Sequence, residues 1–156
     1  MLQYRQDEVF TPLLQFCQQH IEAHARSPED LELCSNKYGA LELLRSCKDE
    51  LVRRDPGKKK KKKDKLTDSA PSAISLEDFI VKWVKPDLAS PVAFIRLCAC
   101  RFVEEFAESV QFKSKASLEE CCWGCIQLLG DQELLVRVQA SSSLRVFTQC
   151  RSVLHR

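Results

Sequence analysis

Glycine and proline are scarce in this chain. Its 156 residues include 4 Gly and 6 Pro, against 44% hydrophobic residues. That is too little punctuation for a sandwich and too much apolar content for a disordered chain, so a helix-rich globular segment is expected. No segment alternates as a strand would. No apolar run is long enough to span a membrane, and the first eight residues, Met1 to Glu8, have no signal-peptide pattern. With no export route, a reducing compartment is expected, and the nine cysteines are read as thiols. The three histidines, His20, His24 and His155, are scattered. No Gly-rich phosphate loop and no Ser/His/Asp set is present, so neither catalysis nor a cofactor is expected.

The formal net charge of +2 hides an uneven distribution. Lys58, Lys59, Lys60, Lys61, Lys62 and Lys63 are consecutive. Removing these six from the 24 basic residues leaves 18 against 22 acidic ones. The rest of the chain is mildly acidic and carries no general nucleic-acid footprint. Lysine, then Asp, Thr, Ser, Ala and Pro, make residues 58–72 low in complexity, and a solvated loop is expected there. The run could meet an acidic partner or phosphates, or act as a nuclear localisation signal. No aromatic residue interleaves the lysines to stack bases, so nucleic acid is not the expected partner.

What is present is helical periodicity. A first helix is expected from Asp7 to about Ala25, with Phe10, Leu13, Leu14, Cys17 and Ile21 on one stripe and Pro12 in its first turn. A second runs from about Leu31 to Arg53, with Ala40, Leu43, Leu44 and Cys47 inward. Ser75-Leu-Glu-Asp78 is a capping box opening a third helix, whose inner face is Leu76, Phe79, Ile80, Trp83 and Val84. Pro91 opens a fourth, with Ile95, Ala99, Phe102, Val103 and Phe106 inward, leaving Glu104, Glu105 and Glu108 on its wet face. A second capping box, Ser117-Leu-Glu-Glu120, opens a fifth helix lined by Leu118, Cys121, Cys122, Cys125 and Ile126. The sixth carries Val136, Ala140, Ser143, Leu144 and Phe147.

These helices repeat. Ile95-Arg96-x-x-Ala99-x-x-Phe102-Val103-x-x-Phe106 matches Val136-Arg137-x-x-Ala140-x-x-Ser143-Leu144-x-x-Phe147 at an offset of 41, while the two capping boxes lie 42 apart. Lys37-x-x-Ala40-x-x-Leu43-Leu44-x-x-Cys47 joins them at an offset of 59. The excess of 18 equals the length of Asp55 to Ser72, which reads as an insertion into one repeat. A helical hairpin recurring every 40 or so residues is the period of HEAT and armadillo repeats. The expected fold is therefore all-α: a HEAT/armadillo-like solenoid of about six helices in three repeats with an inserted lysine-rich loop. Residues 1–54 would hold partial repeat helices, 55–74 the basic loop and 75–156 two further hairpins. Both ends would cut a repeat, so a piece of a longer solenoid is expected. The repeat signature is Lys37, Ala40, Arg96, Ala99, Asp131, Arg137 and Ala140. Asp131 with Arg137, and Arg96 with Asp87, are expected to pair as exposed rungs worth less than about 1 kcal/mol each.

Gly39-Ala40-Leu41 through Leu44, Val84-Lys-Pro-Asp-Leu-Ala-Ser-Pro91, Ile95 to Val103, Val110-Gln-Phe-Lys-Ser114 and Leu135 to Ala140 together resemble the importin-beta superfamily of nuclear transport receptors. The nearest branch is the one that contains importin seven and importin eight. The turn Phe112-Lys-Ser114 is the most specific part. The resemblance runs from about Ser35 to Cys150 and skips the lysine run. It implies a carrier that binds cargo proteins, contacts nucleoporin Phe-Gly repeats and releases cargo when the GTP-bound Ran GTPase binds. It also implies a location in the cytoplasm and nucleus, including the nuclear envelope. The chain is several times shorter than such receptors, and no Ran-contact residue carries over. A generic HEAT scaffold or an exportin-two-like receptor is the alternative.

Cys122-Trp-Gly-Cys125 has the spacing of redox and zinc motifs, and a thiol-dependent enzyme is the reading from another class. The repeat gives a plainer one. At an offset of 42, Cys121, Cys122 and Cys125 stand where Phe79, Ile80 and Trp83 do, and a free cysteine packs as a small hydrophobe.

Overall fold

The computed structural model describes residues 2–56, 75–110 and 112–149. The lysine run, Lys58 to Lys63, and Cys150 onward lie outside the described residues. Within them the chain forms seven α-helices and no strand. Among the described residues no helix is long and apolar enough to cross a membrane.

α1 spans Leu2–Arg26, α2 Leu31–Ser46 and α3 Lys48–Arg53. Pro12 lies well inside α1, because the helix starts earlier than expected. The proline removes one intrahelical hydrogen bond. The burial of Phe10, Cys17 and Ile21 carries the helix through it. Asp30 caps α2, accepting from the amides of Glu32 at 2.9 Å and Leu33 at 3.1 Å. The single second helix expected to reach Arg53 is broken at Cys47 (φ −103°, ψ 25°), which separates α2 from α3. The buried positions of α2 are Cys34, Lys37, Ala40, Leu41 and Leu44, so its inner stripe is turned from the expected one.

α4, Leu76–Phe79, starts at Ser75 as the capping box predicts, with Ser75 Oγ accepting from the Asp78 amide at 3.1 Å. It then widens into a π turn, Ile80–Val84, and tightens into a 3-10 turn, Lys85–Ala89. Leu76, Ile80, Val84 and Leu88 are buried at intervals of four, the spacing an underwound helix needs to keep one face inward. α5, Ala93–Val110, is the centre of the molecule, and α2, α7 and the 80–89 stretch all pack on it. Ile95, Ala99, Phe102, Val103 and Phe106 are fully or almost fully buried.

α6, Lys115–Gln127, is capped by Ser114, which accepts from the Ser117 amide at 3.2 Å. The expected cap, Ser117, therefore lies in the first turn. The reason is the preceding turn. Glu77 reaches from α4 and accepts from the amides of Lys113 and Ser114, both at 2.9 Å, while Phe112 is buried. α6 is an ordinary α-helix and buries Leu118, Cys121 and Cys125, with Leu128 buried in the 3-10 turn that follows. Against Leu76, Ile80, Val84 and Leu88 the offset falls from 42 to 40, so the π turn accounts for the drift between capping boxes. Cys121 takes the place of Ile80, and Cys125 that of Val84, one position from the sequence alignment. α7, Leu134–Gln149, follows a 3-10 turn at Leu128–Gly130.

Three hairpins result: α1 with α2, the 76–89 helical stretch with α5, and α6 with α7. Asp55 Oδ1 accepts from the Leu76 amide at 3.1 Å, so the chain on either side of residues 57–74 meets at one place.

Candidate functional site

The most organised polar chemistry lies where one hairpin meets the next. Arg96 on α5 grips Asp131, in the turn before α7. Its Nε donates to Oδ2 at 2.7 Å and its Nη2 to Oδ1 at 2.9 Å. Its Nη1 donates to the carbonyl of Ser90 at 2.9 Å, in the turn before its own helix. Asp131 Oδ1 also accepts from the Glu133 amide at 2.9 Å, capping the start of α7. One carboxylate thus ties an arginine of the second hairpin to the turn of the third. The Arg96 guanidinium holds the Asp131 carboxyl below the usual carboxylate range. The paired side chains are 17% and 6% exposed, a bidentate geometry that lysine cannot copy.

The same rung recurs one hairpin earlier. Lys37 on α2 sits 2.6 Å from Asp87 Oδ2, in the turn before α5, and donates to the Trp83 carbonyl at 2.9 Å. Trp83 lies in the π turn, just before the helix changes register. The two side chains are only 3% and 8% exposed. Burial pushes the Asp87 carboxyl up, and the Lys37 ammonium acts against it. His24 of α1 stands beside this pair, 3% exposed, with the Pro28 carbonyl near its ring but no well-aligned hydrogen bond to either ring nitrogen. Burial first, and then the Lys37 charge, hold its pKa below the ordinary value, while the Asp87 charge opposes them.

The pairing expected from sequence is therefore off by one hairpin. Arg96 does not pair with Asp87, nor does Arg137 grip the Asp131 carboxylate. Lys37 and Arg96 each reach forward to the acid of the next turn, and the expected exposure is not found: the Lys37 rung is buried and the Arg96 rung half-buried. Arg137 keeps only the backward half of the pattern. Its Nη1 donates to the carbonyls of Asp131 at 2.7 Å and Gln132 at 3.2 Å, the contact that Arg96 makes to Ser90. The signature alanines, Ala40, Ala99 and Ala140, are all buried at these crossings.

Glu104 and Glu105 do not form a wet face. Glu104 accepts from Ser142 at 3.0 Å and from Gln139, both on α7. Glu105 pairs with Arg45 at 3.4 Å and Lys48 at 3.6 Å. The side chain of Glu108 lies outside the described ones.

The cysteine motif is packed inward. Cys121 and Cys125 are fully buried and Cys122 half-buried. Cys125 Sγ lies 3.8 Å from Cys100 Sγ, which lies 3.3 Å from Ser143 Oγ. The contact with Cys100 and burial drive the Cys125 thiol up. Burial raises Cys122 as well and pushes Cys121 up to about 12. A nucleophilic thiol needs the opposite shift. Among the described residues no group of three His, Cys, Asp or Glu is placed to hold a metal ion. Gly124 of this motif has a packing role that its spacing conceals, since a Cβ there would lie 2.6 Å from Leu88 Cδ1.

An apolar cavity of about 150 Å³ lies between α1, α2, α3, α4 and α5, lined by Leu14, Leu51, Phe79 and Phe102 among others. Comparison of the chain with protein-family models, characterised proteins and solved structures finds no match.

Proposed function

We propose that the chain is a protein-binding module built as a HEAT/armadillo-like solenoid, and that it acts as a segment of a nuclear transport receptor of the importin-beta class. The observation that carries the solenoid reading is the forward rung, Lys37 to Asp87 and Arg96 to Asp131, repeated at equivalent places in successive hairpins. A rung that links only neighbours suits an architecture in which each unit contacts the units beside it. Its product is a fixed stacking angle and hence an extended surface, with no chemistry. In this reading the partners are cargo proteins and, through the receptor, Ran and nucleoporin Phe-Gly repeats.

The transport reading draws its support from the quoted segments, above all Phe112-Lys-Ser114. That turn buries an aromatic ring and offers two amides to Glu77, so its residue types are tied to a definite local geometry. The test is titration of the purified chain with a nucleoporin Phe-Gly-repeat domain, alongside imaging of the fluorescently tagged chain in cells. Saturable binding and enrichment at the nuclear rim are expected. No binding and a diffuse distribution would remove the transport reading and leave a generic repeat scaffold.

A further inference from the structure

The two outer hairpins are unfinished in complementary ways. In the chain's own register, α2, α5 and α7 align through Lys37, Arg96 and Arg137. On α2 the positions Cys34, Tyr38 and Leu41 are buried or packed against the core. The equivalent positions on α7 are Leu134, Val138 and Ser141, and all three are exposed, Leu134 by 61% and Val138 by 58%. On α5 the equivalent of Leu41 is Cys100, which touches Ser143 of the following hairpin. The open face of α7 is therefore the one that α2 and α5 turn to the hairpin after them.

The reverse holds at the other end. Ile95 and Phe102 of α5, like Val136 and Ser143 of α7, are buried. Their equivalents on α2 are Asn36 and Leu43, and these line an open groove of about 220 Å³ with Phe16, His20, Ser35 and Gly39. Gly39 has nothing within 4 Å of where a Cβ would stand. Its equivalents, Cys98 and Gln139, reach back to Glu42 and Glu104 of the hairpin before them. All exposed large apolar side chains among the described residues lie on the first or the last hairpin and none on the middle one.

The charges match this geometry. Arg137 makes the backward contact of a rung and has no carboxylate partner among the described residues, whereas Arg96 has Asp131. Asp30 sits in the turn before α2 and caps it through Oδ1, as Asp131 caps α7, but among the described residues it receives no arginine or lysine. The missing half of each rung is present at the opposite end of the same chain.

We propose that a second copy of this chain docks head to tail. The α1–α2 hairpin of one copy covers the open face of α7 in the other, and Arg137 of one copy grips Asp30 of the next. The contact is heterologous, so it closes into a ring or runs on as a filament. The inference needs only the three-hairpin stack and stands apart from the transport reading: in a longer receptor flanking repeats would occupy the same two faces, and a wild type that stays monomeric leaves the faces to such repeats.

The test is sedimentation velocity of the reduced chain over a wide concentration range. The wild type is expected to grow in mass with concentration. Arg137→Glu spoils the donor end, and Asp30→Ser keeps a capping oxygen but removes the carboxylate. Each is expected to raise the dissociation constant at least about tenfold. Mixed together, they retain one good end each, Arg137 in one variant and Asp30 in the other, so the mixture is expected to stop at a heterodimer. In Gly39→Arg the new Cβ has nothing within 4 Å, and unchanged helicity by circular dichroism checks that the monomer is intact. This variant is expected to block assembly as well. A wild type that stays monomeric throughout, or variants that assemble as the wild type does, would overturn the proposal.

Discussion

Lys37 is the residue on which burial matters most. A lysine and an aspartate taken out of water are stable only as a pair, because an isolated charge in the interior loses its hydration without compensation. Lys37→Met is therefore expected to destabilise the chain by about 3–5 kcal/mol in urea unfolding, and Lys37→Met with Asp87→Leu to recover most of that loss. His24 supplies a pH signature. Its folded pKa lies below the unfolded value near 6.5, so the stability it contributes is present above about pH 6.5 and is lost as the pH falls through the folded value. Asp87 has the opposite sense, since its raised pKa favours the protonated form on acidification. In a stability profile between neutral and mildly acidic pH, His24→Leu is expected to be flatter than the wild type. An unchanged slope would assign the acid sensitivity elsewhere. The thiols should separate by burial. In native alkylation followed by mass spectrometry, Cys122 is expected to react well before Cys121 and Cys125. Rapid labelling of native Cys125 would reopen the case for thiol chemistry.

At the scale of elements, the close approach of α6 to the 85–89 turn depends on Gly124. Gly124→Ala must displace Leu88, whose Cδ1 lies 2.6 Å from the new Cβ. A loss of about 1–3 kcal/mol is expected. Gly39→Ala meets nothing and is expected to gain about 0.5–1 kcal/mol through helix propensity alone. If the two substitutions behaved alike, the packing account of Gly124 would fail. The helix stripes of α5 and α7 were legible because uninterrupted α-helices keep a 3.6-residue period. Three element-level features were not. The break at Cys47 has no glycine or proline to announce it. The π turn at Ile80–Val84 shifts the stripe by less than a residue per turn. The choice of Ser114 over Ser117 as cap is made by Glu77, 37 residues before Ser114.

For the molecule as a whole, the order of hairpins matters more than any one helix. The chain before residue 57 and the chain after residue 74 meet where Asp55 accepts from the Leu76 amide. Replacing Lys58 to Lys63 with serines is therefore expected to change the unfolding free energy by no more than about 0.5 kcal/mol. A larger loss would show that the lysines serve the fold. Helicity and the repeat were readable because three helices share a basic residue, an alanine three positions on and an apolar stripe.

Sequence by itself determined that the chain is helical and repeated, and which residues recur, since helical period and spacing are local properties of a chain. Only the tertiary structure decided how those residues pair. Arg96 has acids within a few turns on either side, and local spacing favours Asp87. Stacking instead carries Asp131 of the next hairpin up to the guanidinium and gives Asp87 to Lys37. Desolvation decided their strength as well. The neighbouring hairpins close over Lys37 and Asp87 and half-cover Arg96 and Asp131, so residues that read as surface charges tie one hairpin to the next.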